Sequence, residues 1–359
     1  MADSISSRLR HCSDAEPGFT RRRVGSAWGY FDAAGKRITD RDEIDRLNSL
    51  ALPPAYTNAW FCADPDGHVQ ATGIDARGRK QYRYHADFRA RRDAAKYDGL
   101  LEFGKALPKL RRRVEQDIKR RKLGRETVLA AIVRLLDTQY IRIGNEQYAK
   151  DNKSFGATTL RNRHLRGKGA KMMMRFTGKH GITHEVKISD SNLRRIVKQC
   201  QDLPGQMLFQ YVDDQGEPRP ITSGDVNDYI KQATGGDFTA KHFRTWGASV
   251  IAFDQLLKKA DDARISVKTV VEPVAEALGN TVAMSRKSYV HPALLEAVKE
   301  APRDPLNGLE RPRAKTRLSS TEVGLLDYLA RGSKRPGRRK AKASENAEAV
   351  ALVPEKAAA

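Results

Sequence analysis

Five side chains, spread along the sequence, suit chemistry on a phosphodiester. In chain order they are Arg142, Lys179, Arg244, Asn280 and Tyr289. A tyrosine oxygen can attack phosphorus and form a phosphotyrosyl ester, which keeps the energy of the broken bond. Two guanidinium groups and a neutral amide donor suit the oxygens that gain charge during the attack, and a lysine can protonate the leaving oxygen. Their joint occurrence predicts phosphodiester transesterification.

Each of these residues also has an ordinary structural interpretation. A tyrosine near the end of a helical region usually packs in a core or lies on the surface. Arg142 follows an apolar helical pattern, where an arginine commonly forms a salt bridge, and Arg244 lies beside an apolar stripe as a rim residue would. Lys179 lies in a glycine-flanked turn, where lysines are commonly solvated. Asn280 follows Gly279, which is typical of a helix C-cap. The chemical hypothesis therefore depends on the whole set.

The elements that must position these residues are predicted from apolar spacing. Spacings of three and four predict helices at Leu100–Lys119, Glu126–Asp137, Asp190–Cys200, Gly224–Ala233, Thr239–Lys259 and Val267–Leu278. Pro273 lies inside the last of these and is expected to kink or shorten it. A β-hairpin is predicted from the stretches Lys171–Phe176 and Ile182–Ile188, and Lys179 would lie at its tip.

The region before residue 88 has a different pattern, which is typical of strands. Strands are predicted at Arg22–Val24, Trp28–Phe31, Arg37–Thr39, Trp60–Cys62, His68–Thr72 and Tyr82–Tyr84, with a short helix at Asp42–Leu50. Asp64–Gly67 has the proline and glycine of a turn. The expected divisions are a polar start at 1–18, a β-rich domain at 19–88, a mainly helical domain at 89–301, an extension at 302–330, which holds a last short helix at Thr321–Ala330, and a disordered basic tail at 331–359. The fold class is therefore α+β.

Charge and length limit the classes of function. The chain has 359 residues and a formal net charge of +22 at pH 7. Its length allows two domains with a sizeable core. Such a positive excess indicates a polyanionic partner, most directly nucleic acid. A ribosome-associated or simply basic protein is the alternative interpretation.

Cysteine usage and hydropathy indicate the compartment. Cys12, Cys62 and Cys200 are far apart and form no CxxC pair, so neither a zinc motif nor a disulfide framework is predicted. This usage fits a reducing, cytoplasmic compartment. No apolar run has transmembrane length, and the first ten residues lack the apolar core of a secretory signal. No membrane partner is expected.

Several motifs occur together in the order of one enzyme family. They are Tyr140–Gly144, Thr158–His164, Phe176–Lys179, Thr183–Glu185, Lys241–Thr245 and Ser285–Tyr289. On these stretches the chain resembles the compact type IB DNA topoisomerases, the poxvirus-like group and its bacterial relatives, from roughly residue 20 to 300. The resemblance implies a small β-rich N-terminal domain and a larger, mainly helical catalytic domain with a β-hairpin, which together clamp duplex DNA as a monomer.

The resemblance also assigns roles to individual residues. Tyr289 matches the nucleophile, Arg142 and Arg244 the catalytic arginines, and Lys179 the general acid. Asn280 matches the fifth position, where poxvirus enzymes have histidine and bacterial members are similar to this chain. A role that needs a protonated imidazole is therefore not expected there.

DNA contacts are expected outside this set. Gln81, Tyr82 and Tyr84 resemble the family's stretch that reads the major groove, although tyrosines on the face of a sheet would look the same. Lys241, which precedes Arg244 by three residues, is a further expected contact.

The implied function is relaxation of supercoiled DNA through a 3′-phosphotyrosyl intermediate in a bacterial nucleoid. No cofactor is expected: the chain has no GxxxxGK[ST] motif for ATP, and Mg²⁺ would stimulate without being required. A tyrosine recombinase is one alternative, although recombinases usually have His-x-x-Arg where this chain has Lys241-x-x-Arg244. A non-enzymatic basic DNA-binding protein is the other.

Overall fold

The computed structural model describes residues 9–258, 264–306, 308–309 and 311–333. Contacts divide the chain between Asp98 and Gly99 into two units. The first is built on an antiparallel sheet and the second is mainly helical with small sheets, which confirms the α+β class. Most of the basic tail expected at 331–359, and residues 1–8 of the polar start, lie outside the described residues.

The first unit has five strands and two helices. They are β1 (Phe19–Val24), β2 (Ala27–Phe31), α1 (Arg41–Ser49), β3 (Thr57–Phe61), β4 (Val69–Ile74), β5 (Lys80–Tyr84) and α2 (Ala86–Asp98). The strands form one antiparallel sheet in the order β2-β1-β3-β4-β5. Its core includes Tyr30, Leu47 and Phe61, so α1 packs its apolar side on the sheet.

The strand predicted at Arg37–Thr39 is wrong. Only a single bridge joins Arg37 to Phe31. Asp40 then caps α1, because its carboxylate accepts from the backbone N–H groups of Asp42 and Glu43. The chain must leave the sheet to reach that cap, so no room is left for a further strand.

The second unit contains the other elements. They are α3 (Leu100–Asp117), α4 (Arg125–Gln139), α5 (Glu146–Asn152), β6 (Leu165–Arg166), β7 (Met173–Thr177), β8 (Thr183–Lys187), α6 (Ser191–Gln201), β9 (Gln210–Val212), β10 (Pro218–Pro220), α7 (Ser223–Thr234), α8 (Ala240–Leu257), α9 (Val267–Leu278), α10 (Val282–Ser288), α11 (Pro292–Glu300) and α12 (Ser320–Ser333). Strands β6, β7 and β8 form one antiparallel sheet, and β9 pairs with β10. Among the described helices, none is both long enough and apolar enough to cross a bilayer.

Helix α9 is not shortened by Pro273. It runs from a Ser266 cap to Gly279, which has the left-handed φ of 59°. A proline in a helix interior costs about 3 kcal/mol. Val270 and Val274 on either side of it are fully buried, and burying a side chain of this kind contributes about 1.5–3 kcal/mol. Packing therefore outweighs the lost hydrogen bond.

The segment after residue 301 belongs to the main core of the second unit. Leu306, Leu318, Val323 and Leu325 are buried in the same apolar cluster as α4 and α8. Helix α12 is longer than the short helix predicted at Thr321–Ala330. The C-terminal helix therefore supports α8, which carries one of the candidate arginines.

Candidate active site

Arg142 lies in a loop held by backbone hydrogen bonds. Helix α4 ends at Tyr140, whose left-handed φ of 51° turns the chain. The carbonyl of Arg142 accepts from the backbone N–H of Ala157 at 2.8 Å. The carbonyl of Ile143 accepts from both the backbone N–H and the hydroxyl of Thr158, at 2.7 and 3.0 Å. The loop is thus held at the arginine and at the residue that follows it.

Arg244 is a buried cation, with only 4% of its surface exposed. From α8, its Nη1 donates to the carbonyl of Tyr140 and its Nη2 to the carbonyl of Leu278, the latter at 3.0 Å. No carboxylate forms a salt bridge with it among the described residues. Burial, together with the positive charge of Arg142, lowers the pKa of Arg244 to about 10. The guanidinium is therefore charged at neutral pH and is not neutralised by an acid.

Tyr289 lies against this cation at the end of α10. The Cζ atom of Arg244 is 4.9 Å from the centroid of the Tyr289 ring. Burial alone raises the pKa of Tyr289, but the charges of Arg244 and Arg142 and their hydrogen bonds outweigh it and hold the pKa below its ordinary value. The site thus favours the phenolate.

Tyr140 is a poorer nucleophile than Tyr289. Burial raises the pKa of Tyr140 to about 12, with a further contribution from the acidic Asp137 and Glu322. Tyr148 is the other tyrosine near Arg142 in the sequence that could serve as a nucleophile, and its side chain lies outside the described part of the chain. Of the two tyrosines whose side chains can be compared, only Tyr289 has its pKa lowered.

Asn280 closes α9 and also reaches the site. Its backbone N–H donates to the carbonyl of Ala275 at 2.9 Å, while its Oδ1 accepts from Nη2 of Arg142 at 2.9 Å. Both interpretations of this residue, helix end and site residue, therefore fit. The contact with Arg142 occupies the amide oxygen and leaves the amide nitrogen as the group that can donate to a ligand.

Two buried donors in the site have no protein acceptor. Nδ2 of Asn280 and Nε of Arg244 are without a hydrogen-bond partner among the described residues. An unpaired buried donor costs about 1–3 kcal/mol. Such a pair beside two guanidinium groups is suited to an oxygen-rich anion such as a phosphate.

Lys179 lies apart from the other four candidates. Strands β7 and β8 pair Phe176 with His184 and Thr177 with Thr183, so Lys179 follows at the hairpin tip, where it is exposed. No hydrogen bond or ring contact joins it to the other four within the described residues. The structure thus brings together Arg142, Arg244, Asn280 and Tyr289 and places Lys179 on a neighbouring element.

His184 is a site residue that was not among the predicted catalytic or DNA-binding residues. Its ring stacks on Phe176, with centroids 5.3 Å apart and an interplanar angle of 20°. Burial, and then the charges of Arg244 and Arg142, lower its pKa. The sequence contains only an indirect signal for a bulky neighbour at these positions, namely the glycines that directly precede Lys179 and Asn280.

The candidate DNA-reading residues lie on β5 of the first unit. Nε2 of Gln81 donates to Oδ2 of Asp75 at 2.9 Å, so the amide oxygen is the group left for a ligand. Tyr82 is 45% exposed and stacks on Tyr84 with centroids 5.9 Å apart. The ammonium of Lys80 lies 5.7 Å from the Tyr82 ring centroid. The result is an exposed aromatic surface next to a cation.

Lys241 lies in the second unit, in the first turn of α8, and is exposed. Its ammonium is therefore accessible to an anion.

Comparison with known proteins gives this arrangement a family. Residues 85–306 match the family described as eukaryotic DNA topoisomerase I, catalytic core, and residues 27–75 match bacterial DNA topoisomerase IB, N-terminal domain. DNA topoisomerase 1B of Acanthamoeba polyphaga mimivirus is 31% identical over 79% of this chain and 88% of that protein. DNA topoisomerase I of Monkeypox virus is 24% identical over 64% of this chain and 72% of that protein.

A solved structure of the site-specific recombinase XerH bound to palindromic difH substrate has a TM-score of 0.35 and 14% identity. It covers 54% of this chain and 50% of that chain.

A DNA-binding enzyme with a cationic site around a tyrosine is the class that these features define. The chain belongs to the type IB DNA topoisomerases.

Proposed function

We propose that this enzyme relaxes supercoiled DNA without ATP, by transient cleavage of one strand through a 3′-phosphotyrosyl intermediate. The observation that supports it best is the contact between Tyr289 and Arg244. The guanidinium of Arg244 is buried and has no carboxylate partner in the part of the chain that the structure describes, so it favours the phenolate and also attracts the phosphate that the phenolate attacks.

The cleavage step is a transesterification. The phenolate oxygen of Tyr289 forms a bond to phosphorus, and the bond from phosphorus to the 5′-oxygen breaks. Lys179 gives its proton to that oxygen, so the leaving group departs as a hydroxyl. The freed strand then rotates, and its 5′-hydroxyl attacks the phosphotyrosine while Lys179 takes the proton back. The bond count is unchanged, so no external energy source is needed.

Arg142, Arg244 and Asn280 act on the non-bridging oxygens. Each arginine offers two N–H groups in a planar fork, which matches two oxygens of a phosphorane. Nε of Arg244 and Nδ2 of Asn280 are buried donors without a partner among the described residues, so they suit oxygens that gain charge. We propose that these three side chains do the work that a metal ion would otherwise do, and that Mg²⁺ stimulates by loosening product DNA.

Both units are proposed to bind duplex DNA. Tyr82 and Tyr84 present ring faces, and the free amide oxygen of Gln81 can accept from the exocyclic amino groups of bases. Lys241 contacts phosphate. The enzyme acts as a monomer on cytoplasmic, nucleoid DNA, and the charge of +22 supports the affinity.

One experiment tests this proposal directly. The purified protein is given a negatively supercoiled plasmid without any recombination site, in EDTA and without ATP. Relaxation is expected, because neither a metal nor a nucleotide enters a chemical step. A strict requirement of the cleavage step for Mg²⁺ would overturn the mechanism, and activity confined to a plasmid with paired recombination sites would favour a recombinase.

A suicide substrate locates the nucleophile. Cleavage of a duplex whose short downstream fragment, which carries the freed 5′-hydroxyl, diffuses away traps the covalent adduct, and digestion then gives one modified peptide. We expect the peptide that contains Tyr289. No adduct under denaturing conditions would leave only a DNA-binding protein.

A further inference from the structure

We propose that His184 positions the hairpin that carries Lys179 against the loop that carries Asn280. This inference rests on the proposed function, in which Lys179 protonates the leaving oxygen. His184 acts through Lys179 and is therefore a positioning residue, which neither takes nor gives a proton in the reaction.

Two glycines on opposite sides of the His184 ring carry the argument. A methyl group built on Gly178 would lie 2.6 Å from Cδ2 and 2.7 Å from Nε2 of His184. One built on Gly279 would lie 2.6 Å from Cε1 of the same ring. Real carbon atoms do not approach so closely, so the ring occupies the space that a side chain would need at either position.

Each of these glycines lies next to a candidate catalytic residue. Gly178 directly precedes Lys179, and Gly279 directly precedes Asn280. The ring therefore rests on the backbone of both elements next to the residue that each contributes. A change in its size or place shifts the hairpin tip relative to the loop, where a misplacement of about 1 Å can cost on the order of 100-fold in rate.

The surroundings of the His184 ring suit a group that keeps two elements at a set distance. Its face stacks on Phe176, one strand across the hairpin, and this fixes the plane of the ring. Neither ring nitrogen has a hydrogen-bond partner among the described residues. Burial, and then the positive charges of Arg244 and Arg142, lower the pKa of His184, so the ring is neutral at physiological pH. A neutral, stacked ring adds no repulsion to a site already rich in cations.

The first experiment compares leaving groups in single-turnover cleavage. One duplex has the natural 5′-oxygen at the scissile phosphate and the other has sulfur, which leaves without a proton. We expect His184→Ala and His184→Gln to lose roughly 10- to 100-fold on oxygen and to recover most of it on sulfur. Lys179→Ala is the reference for loss of the acid. Adding His184→Ala to Lys179→Ala should cost little more.

Glu185→Gln is the matched control for the strand. Glu185 neighbours His184 on β8 but points to the exposed side, where it pairs with Arg175 at 3.2 Å. The Glu185→Gln variant should cleave both the oxygen and the sulfur substrate at rates near those of the unchanged enzyme. Thermal unfolding and DNA binding of each variant show whether the fold is kept.

The second experiment fills the space of the ring from the other side. Gly178 has φ −92° and ψ −166°, which alanine adopts freely, so only His184 opposes a methyl there. Gly178→Ala should therefore slow oxygen cleavage in the unchanged enzyme and cost almost nothing in the His184→Ala background. Gly124→Ala is the control, because Gly124 has φ −92° and ψ 174° with no atom within 4 Å of the added methyl.

The outcomes separate the two proposals. If Lys179→Ala itself is not rescued by sulfur, the role of Lys179 as the acid fails. If Lys179→Ala is rescued but the His184 variants lose equally on oxygen and sulfur, the positioning role fails. Equal cost of Gly178→Ala in both backgrounds would also overturn it, since the ring would then not be what the methyl meets.

Discussion

Two arginines in the second unit, the buried Arg244 and the half-buried Arg111, have opposite electrostatic surroundings. Arg244 is bound by two backbone carbonyls and has no salt bridge to a carboxylate among the described residues. Arg111, on α3, forms salt bridges with Asp137 at 2.8 Å and with Glu322 at 2.7 Å. Both guanidinium groups are largely withdrawn from water, so the difference lies in how each charge is compensated.

The Arg111 site is neutralised and joins elements. Burial alone lowers the pKa of Arg111, but its hydrogen bonds with Asp137 and Glu322 outweigh this and raise it. Trp246 also donates to Glu322, at 3.0 Å. Four elements, α3, α4, α8 and α12, are thus tied at one point. Such a network specifies packing and leaves no net positive charge for a ligand.

Helix α8 connects the two sites. Arg244 and Trp246 are two residues apart, so they point to different sides of the helix. Tyr140 also contacts α8 at two places. Its carbonyl accepts a hydrogen bond from Arg244, and its ring packs against Gly247. In the proposed mechanism the arginine without an acidic partner among the described residues acts on the phosphate, whereas the arginine with two acidic partners holds helices together.

The largest effect is expected from Tyr289→Phe. The variant keeps the ring beside Arg244 and removes only the nucleophilic oxygen, so the covalent adduct should vanish while DNA binding stays almost normal. Gel analysis of a suicide substrate under denaturing conditions measures the adduct, and a binding assay with the same duplex provides the control. A surviving adduct would place the nucleophile elsewhere, with Tyr140 or Tyr148 as the next candidates.

Arg111→Met tests the neutralised side of the comparison. It leaves Asp137 and Glu322 buried without their cation, which should reduce the free energy of unfolding by about 3–5 kcal/mol. Denaturant unfolding measures this loss. The variant that also carries Asp137→Asn and Glu322→Gln should recover much of it. At a temperature where Arg111→Met is folded, its cleavage rate should be near normal, and a large loss of rate there would blur the distinction between the two sites.

The sequence predicted the elements better than the contacts between them. Helices α3, α4 and α8 were predicted within three residues at either end, because their apolar stripes are long. The carbonyls of Tyr140 and Leu278, which hold Arg244, carry no side-chain signal. The neighbours of Arg244, on α4 and α9, are distant in sequence, and one sequence cannot say whether an acid lies among them.

The candidate site was also only partly predicted from the sequence. Arg142, Arg244, Asn280 and Tyr289 were proposed from residue type and order, and the fold places them together. Their roles stay predictions. His184 was quoted within a motif without a role, since its position between two glycines exists only in the folded chain.

Arg244→Lys tests the side without an acidic partner. Lysine keeps the charge but loses the planar fork, so single-turnover cleavage should fall by roughly 10²–10³, the cost of one missing transition-state donor. Thermal stability should change far less than in Arg111→Met. Arg142→Lys should lower the single-turnover cleavage rate by a similar factor. Near-normal cleavage in either variant would reduce that arginine to a general charge.

The pH dependence of cleavage reports the same charges. On the sulfur substrate no acid is needed, so the rate should follow the phenolate of Tyr289, rising with pH through a pKa below the ordinary value near 10 and then levelling. Arg142→Met removes a cation and should move the rise to higher pH. Single-turnover rates between about pH 6 and pH 9.5 measure it. An unchanged profile in Arg142→Met would mean that Arg142 does not tune the nucleophile.

The smallest effect on chemistry is expected from removing the basic residues that follow α12. A chain that ends at Ser333 keeps α12 and loses residues 334–359, whose first nine positions contain six basic side chains and no acid. Each phosphate that a cation neutralises contributes roughly 0.9 to the slope of log affinity against log salt. The truncated enzyme should therefore bind DNA with a slope shallower by about 1 to 5 and have its relaxation optimum at lower salt. Single-turnover cleavage of a short, pre-bound duplex should barely change, because neither Arg244 nor its surroundings are touched. If truncation instead abolished that cleavage, the removed residues would belong to the catalytic site, and the proposed division between buried charge for chemistry and C-terminal charge for binding would not hold for this enzyme.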